Sequence, residues 1–418
     1  FYMLSGMVDT LMLSAVGDYA VGAVGTANSY IGIFIIMFSI ISSGMVSVMT
    51  QNIGAGRPGV AYQARQLGLL FNAVAGVLMA VFLFSGAGAI LRMVGIADAL
   101  YEPALIYLKI VGGGCILNAV IPIFSSYLRA FGYTKQPLYA TIVGNIANFV
   151  MNAVFLFVLH KGVAGVATAT VISKILNLCI VLYFSHKLIS AKNSTERIAN
   201  KTVLGQIVKV GLPSACETAL YNVAMMLVIR FLNQMDAEGL NVTARSYTAT
   251  ISNFSYCVGA ALAQANAIMT GWHIGAGELE ECDRGTKRAA FVGVCVAVCM
   301  ETAIVLGSGF IMPLFTDNPE MTALVRKLLA IDIVLEIGRV TNLVFGQALK
   351  TSGDAVFPAV IAAVFMFVFA VGGTWLFGIS MGLMAVGAYI GLASDECVRA
   401  VGMVWRWKTG KWRTKKLV

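Results

Sequence analysis

Charge is what this chain lacks most. Of its 418 residues, 12% are Asp, Glu, Lys or Arg and 59% are hydrophobic. A water-soluble chain carries roughly a quarter charged residues, so this composition excludes a soluble globular domain and marks a polytopic membrane protein. Histidine is scarcer still, at 3 residues. That denies an intramembrane enzyme the mid-membrane His/Asp/Ser or metal cluster it needs. The 8 cysteines stand singly in apolar segments apart from Cys295 and Cys299, and no CxxC occurs. They read as small buried hydrophobes, not as a disulfide framework or a metal site. No glycine-rich string ends in Lys-Ser/Thr at P-loop spacing, so nucleotide hydrolysis by that route is excluded. The net charge of +9 suggests nucleic acid at first sight. The positive residues, however, gather in short links and at the C-terminus, as the positive-inside rule describes.

What the chain has instead is long apolar runs. Twelve can be marked, at about 1–17, 24–51, 66–90, 103–130, 136–159, 164–187, 206–234, 243–271, 287–312, 322–349, 355–379 and 382–405. Most reach or approach the roughly 20 residues that cross a bilayer. The expected organisation is a six-helix lobe over 1–187, a polar linker over 188–205, a second six-helix lobe over 206–405 and a basic tail over 406–418. The chain opens at Phe1 in mid-run, so a native N-terminal segment is expected to precede it. Links carrying Arg57, Arg65, Arg129, Lys135, Lys192, Arg197, Arg284 and Lys287 alternate with short links carrying Asp98, Glu102, Asp236, Glu238, Asp317 and Glu320. This asymmetry puts the basic links and both termini in the cytoplasm of a cell whose plasma membrane the chain crosses many times.

An internal repeat is legible. Ile53-Gly54-Ala55-Gly56 recurs as Ile274-Gly275-Ala276-Gly277, and Leu128-Arg129-x-x-Gly132 with Pro137 recurs as Leu349-Lys350-x-x-Gly353 with Pro358, both at an offset of 221 residues. An even number of spans per copy implies parallel repeats related by an axis along the membrane normal, with substrate between the lobes. The Gly-Ala-Gly strings read as helix C-caps and turns.

Few polar residues interrupt the spans, and each needs a reason. Asp9 is the lone acid of the first run. The stretch Ala140–Ser173 carries Asn145, Asn148 and Asn152, then, after His160-Lys161-Gly162, Thr168 and Thr170. Asn148 and Asn152, four apart, share a helix face. Asp9 lies eight residues before Gly17, Asn152 eight before His160 and Thr170 seven after Val163. At 1.5 Å per residue all three sit about 10–12 Å below one surface. Oxygen ligands of this kind suit a small hard cation. Asn145 and Thr168 read better as packing contacts between helices.

The second half holds another constellation. Asp332, Glu336 and Arg339 fall at i, i+4 and i+7 on one span, and Asp395, Glu396 and Arg399 cluster on the last. Cross-helix pairs such as Arg339 with Asp395 or Glu396 are expected, serving either a salt-bridge network or a path for substrate or protons. Glu217 stands eleven residues into the seventh run and is a further candidate for a cationic substrate or a proton.

Eight segments together carry a family resemblance: VDTLMLSAVG (8–17), the TQNIGAG turn, LRAFGYTKQP, GNIANFVMN, GVAGVATATVIS, GLPSACE, EIGRVTNLVFGQALKTSGD and DECVR with its Trp/Arg tail. In order and spacing the chain resembles the multidrug and toxic compound extrusion (MATE) transporters, in particular their bacterial DinF-like branch. The resemblance implies an all-α protein of twelve transmembrane helices in two lobes and export of organic, often cationic, drugs in exchange for Na⁺ or H⁺. It implies no catalytic residues, no cofactor beyond the coupling ion, membrane lipid and small molecules as the partners, and a monomer. The family's cation site carries over to Asp9, Asn148, Asn152 and Thr170, with Na⁺ as the possible metal. Some relatives have a second aspartate where this chain has Asn152. The match at Glu217 is looser. A lipid-linked oligosaccharide flippase of the same superfamily is the alternative, and the scarcity of mid-span arginines in the first half speaks against it.

Overall fold

The computed structural model describes residues 12–13, 17–93, 96, 98–189, 196–236 and 239–418. Among them every regular element is helical, as lipid demands of a backbone that must satisfy its own hydrogen bonds. The helices are α1 (Asp18–Gly54), α2 (Pro58–Met93), α3 (Asp98–Gly113), α4 (Cys115–Ala130), α5 (Lys135–Ala153), α6 (Gly162–Leu188), α7 (Asn200–Met235), α8 (Leu240–Ala276), α9 (Leu279–Ile311), α10 (Pro319–Ser352), α11 (Val356–Phe365) and α12 (Met384–Lys408). Two spans end in wider π-helical turns, Val154–Val158 after α5 and Thr374–Ser380 after α11.

The span expected at 103–130 is broken. α3 and α4 meet at 41°, where three glycines, Gly112, Gly113 and Gly114, remove the side chains that would hold one straight rod. Helix α7 begins at Asn200, inside the stretch 188–205 expected as a polar linker.

The chain divides into two compact units, Phe1–Met49 with Arg57–Val208, and Thr50–Gly56 with Lys209–Val418. In the first, Leu83, Ala87 and Leu91 of α2 join Ala104, Leu108 and Val111 of α3 and Ala167 of α6 in one apolar core. The buried Asn72 side chain donates to Phe38 O (3.2 Å) and Ala119 O (3.0 Å), stitching α1, α2 and α4 together.

In the second unit α10 is packed between α8 and α12. Missing side chains permit the close approach. A Cβ on Gly259 would lie 2.7 Å from the Val340 side chain, and one on Gly338 would lie 2.7 Å from the Cys397 backbone nitrogen. Gly338 thus seats α12 on α10 beside Arg339.

The repeat appears in the backbone. Gly56 and Gly277 share positive φ (72° and 81°), as do Gly132 and Gly353 (86° and 97°), so these four end their helices in the left-handed conformation glycine tolerates. The leading glycines act differently from the cap the sequence suggested. A Cβ on Gly54 would lie 2.1 Å from Trp272 O, and one on Gly275 would lie 1.9 Å from Gln51 O. The two Gly-Ala-Gly strings thus lie backbone on backbone inside the second unit, to which residues 50–56 belong.

The tail is a packed element. α12 continues to Lys408, and Lys411–Thr414 forms a short 3₁₀ turn. The buried Trp412 ring stacks on Trp407 with centroids 4.2 Å apart. Its Nε1–H donates to Trp407 O, and Trp407 Nε1–H donates to Asp283 Oδ1 at 2.7 Å. The Leu417 N–H closes on Gln51 Oε1 at 2.7 Å.

Candidate functional site

Seven helices among the described residues are long and apolar enough to cross a membrane, and the bent pair α3–α4 makes an eighth. The helices α8, α10 and α12 do not reach that apolarity. Many of their polar residues are buried, among them Thr248, Ser252 and Ser255 of α8, Asp332 and Glu336 of α10 and Asp395, Glu396 and Arg399 of α12. A cavity of about 300 Å³ opens between α7, α8, α10 and α12 of the second unit. Arg245, Ala249, Ser252, Asn253 and Tyr256 of α8 line it, a stripe at i, i+4, i+7, i+8 and i+11. Opposite stand Tyr221 and Met225 of α7, Asp332, Leu335 and Arg339 of α10, and Tyr389, Leu392, Asp395 and Glu396 of α12.

Glu396 is the centre of the charge network. Its carboxylate lies 3.6 Å from Arg339 Nε and 2.9 Å from Arg399 Nη2, and accepts from Asn342 Nδ2 at 3.0 Å. Arg339 also pairs with Glu336 one turn back. Arg399 closes a bidentate pair with Asp395 on its own helix, at 2.7 to 3.1 Å. Of the two partners expected for Arg339, the structure pairs it with Glu396, while Asp395 turns along α12 to Arg399. Arg339 also lies over the Tyr256 ring, 5.7 Å from its centroid.

The acids outnumber their partners. Asp332 Oδ2 and Glu336 Oε2 have no hydrogen-bond partner among the described residues, and both side chains are buried. Glu301 of α9 is fully buried, and neither of its oxygens makes a hydrogen bond of ordinary geometry. It lies within electrostatic range of Asp332, Glu336 and Arg339. No group of three His, Cys, Asp or Glu among the described residues is arranged to hold a metal ion.

In the first unit, Asn152 Nδ2 donates to Asn148 Oδ1 at 3.2 Å, and both side chains are buried. α5 and α6 run antiparallel, with Gly144 against Ser173 and Phe155 against Gly165. That register sets Asn148 level with Thr170, whose Oγ1 donates back to Val166 O at 2.9 Å. Thr168 likewise bonds its own helix, at Ala164 O. Asp9 lies outside the described residues.

Glu217 faces a lysine. Its Oε2 is 2.8 Å from Lys350 Nζ, with both side chains largely buried. The sequence offered Glu217 and Lys350 separately, 133 residues apart, and no local spacing joins them. Sequence reasoning also missed Arg245, Tyr256, Asn342 and Glu301. For Arg245 and Tyr256 a signal existed, because TARSYTATISNFSY on α8 is too polar to face lipid. Asn342 extends the stripe of Asp332, Glu336 and Arg339 by one residue triplet. Glu301 stands in an apolar helix and carries no local pattern.

Known proteins give the frame for this geometry. The MatE family model matches residues 1–154 and 213–376. The uncharacterized transporter YisQ of Bacillus subtilis (strain 168) is 32% identical over 420 residues, spanning 99% of this chain and 92% of its own. The probable multidrug resistance protein NorM of Thermotoga maritima is 20% identical, spanning 100% and 90%. A crystal structure of MATE in the straight conformation superposes with a TM-score of 0.87 at 21% identity, covering 99% of this chain and 93% of that one. The all-helical twelve-span fold is shared, and the chain belongs to the MATE family of membrane transporters, which are not enzymes.

Proposed function

We propose that the chain is a secondary antiporter that exports organic, often cationic, compounds in exchange for Na⁺ or H⁺ by alternating access. The description of its Thermotoga relative as a probable multidrug resistance protein supports the substrate class. The observation that carries the coupling is the buried acid excess of the second unit, Asp332 and Glu301 above all, beside a cavity of about 300 Å³. An unpaired carboxylate in low dielectric is costly when ionised. Three events relieve that cost: a proton, a small cation, or the basic nitrogen of a substrate. They exclude one another at Asp332, and exclusion at one acid is what converts a cation gradient into work on a substrate. A cation drives transport only if it binds the two conformations unequally. Asn148, Asn152 and Thr170, with Asp9, are proposed as a further cation site in the first unit. The plasma membrane, with both termini cytoplasmic, is the proposed setting, and the working unit is proposed to be the monomer.

The test is efflux of a fluorescent organic cation from proteoliposomes, with Na⁺ and pH gradients imposed separately. One gradient should accelerate efflux severalfold, and Asp332→Asn should lose that acceleration. Efflux indifferent to both gradients overturns the reading.

A further inference from the structure

The cavity of the second unit holds a third arginine that the charge network does not use. Arg339 and Arg399 are matched by Glu336, Glu396 and Asp395. Arg245 has no carboxylate within ion-pair distance among the described residues. Its guanidinium donates to the Met225 sulfur at 3.9 Å, a weak acceptor, and lies within electrostatic range of the Tyr389 phenol. The side chain is half-buried and lines the cavity. A partly desolvated guanidinium with no anion beside it is an unfilled half of a charge-assisted pair.

Its position relative to Asp332 gives the shape of what would fill it. α8 and α10 run parallel, with Gly259 against Val340. In that register Asp332 is level with Ser252, which is one of the groups that face it. Arg245 is seven residues nearer the end of the unit where α8 begins. At 1.5 Å per residue the two charges are offset along the cavity by about 10 Å. The cavity is therefore polarised, with a free cation at one level and an unpaired acid at the other. Tyr221, Tyr256 and Tyr389 supply aromatic walls between and below them.

We propose that Arg245 is the anion-receiving group of this cavity, and that the cavity takes amphoteric organic molecules, which set an acid group on Arg245 and a basic nitrogen toward Asp332. The inference rests on the antiport reading above and narrows its substrate class. A purely cationic drug would leave Arg245 unpaired and repelled. An amphoteric one satisfies both ends and adds no net charge to the site. Arg245 is thus a specificity residue, with Asp332 the group shared with the coupling cation.

The test uses two dyes that differ in one group. Rhodamine 110 carries a free carboxylate, and rhodamine 123 is its methyl ester. Binding of each to the purified full chain in lipid nanodiscs is measured by fluorescence polarisation, without any gradient. Wild type should bind the acid more tightly than the ester. Arg245→Gln should weaken rhodamine 110 binding about tenfold, the loss expected for one charge-assisted contact, and leave rhodamine 123 within about twofold. Arg245→Lys keeps the charge and should retain most of the preference, which separates loss of the pair from loss of fold. Equal weakening of both dyes in Arg245→Gln, no weakening of either, or a wild type that does not prefer the acid overturns the proposal. An acid preference that depends on Arg245, in a protein whose efflux ignores both gradients, keeps this inference and removes the antiport reading. Gradient-driven efflux with no acid preference does the reverse.

Discussion

Glu217 of α7 and Lys350 of α10 face one another across 2.8 Å, both largely buried. An acid held by a lysine is not free to serve a cationic substrate, so the pair reads first as a lock between two helices. Glu217→Gln and Lys350→Met should each destabilise the solubilised protein, and the double variant should lose less than their sum. A coupling energy of about 1–3 kcal/mol is expected, measured by thermal unfolding in detergent. Additive losses would remove the lock.

Glu396 neutralises two guanidiniums at once and takes a hydrogen bond from Asn342. Glu396→Gln should cost about 3 kcal/mol, because it leaves a buried positive charge short of a partner. Asn342→Ala should cost less, about 1–2 kcal/mol. Unfolding midpoints of the two variants decide the order.

Gly54 and Gly275 sit where a Cβ would lie 2.1 Å and 1.9 Å from backbone oxygens. Backbone cannot step aside as a side-chain tip can. Gly54→Ala and Gly275→Ala should each destabilise by about 1–3 kcal/mol or more. Gly285, with open space around it, is the control. At Gly285, on the helix α9, alanine should be neutral or stabilising by up to about 1 kcal/mol.

Asp236 lies in the link between α7 and α8 and accepts the N–H groups of Leu240 (2.8 Å) and Asn241 (3.0 Å), capping the start of α8. Burial alone would raise its carboxyl, but the hydrogen bonds from the Asn241 side chain and the Asn241 and Leu240 backbone hold it below the usual carboxylate range. A depressed pKa means stability that is fully present above the unfolded value and lost as pH falls through the folded one. Asp236→Ala should cost about 1 kcal/mol at neutral pH. The difference from wild type should shrink as the medium is acidified below about pH 4. A difference that persists unchanged in acid would contradict the cap.

The sequence was most informative where one physical rule acts alone. Length and apolarity mark the spans, and the 221-residue offset marks the repeat, because both are local patterns. The stripe of Asp332, Glu336 and Arg339 was visible by helical spacing, and its partner on α12 by depth. The kink at Gly114 and the start of α7 at Asn200 escaped because apolarity continues through the first and polarity does not stop the second. Glu217–Lys350 and the unpaired Arg245 are facts of tertiary placement. No spacing rule says which lysine an acid will meet, or that an arginine will meet none. Of the residues expected at one depth in the first unit, Thr170 lies level with Asn148, Asn152 lies one turn further along α5, and Asp9 lies outside the described residues.

The account rests on obligatory exchange at a buried acid, and exchange can be driven backwards. In proteoliposomes without any imposed cation gradient, an outward gradient of rhodamine 110 should drive uptake of ²²Na⁺, or of protons read by a trapped pH dye, and Asp332→Asn should abolish that uptake. Dye movement with no opposing cation flow in the wild-type protein would contradict it.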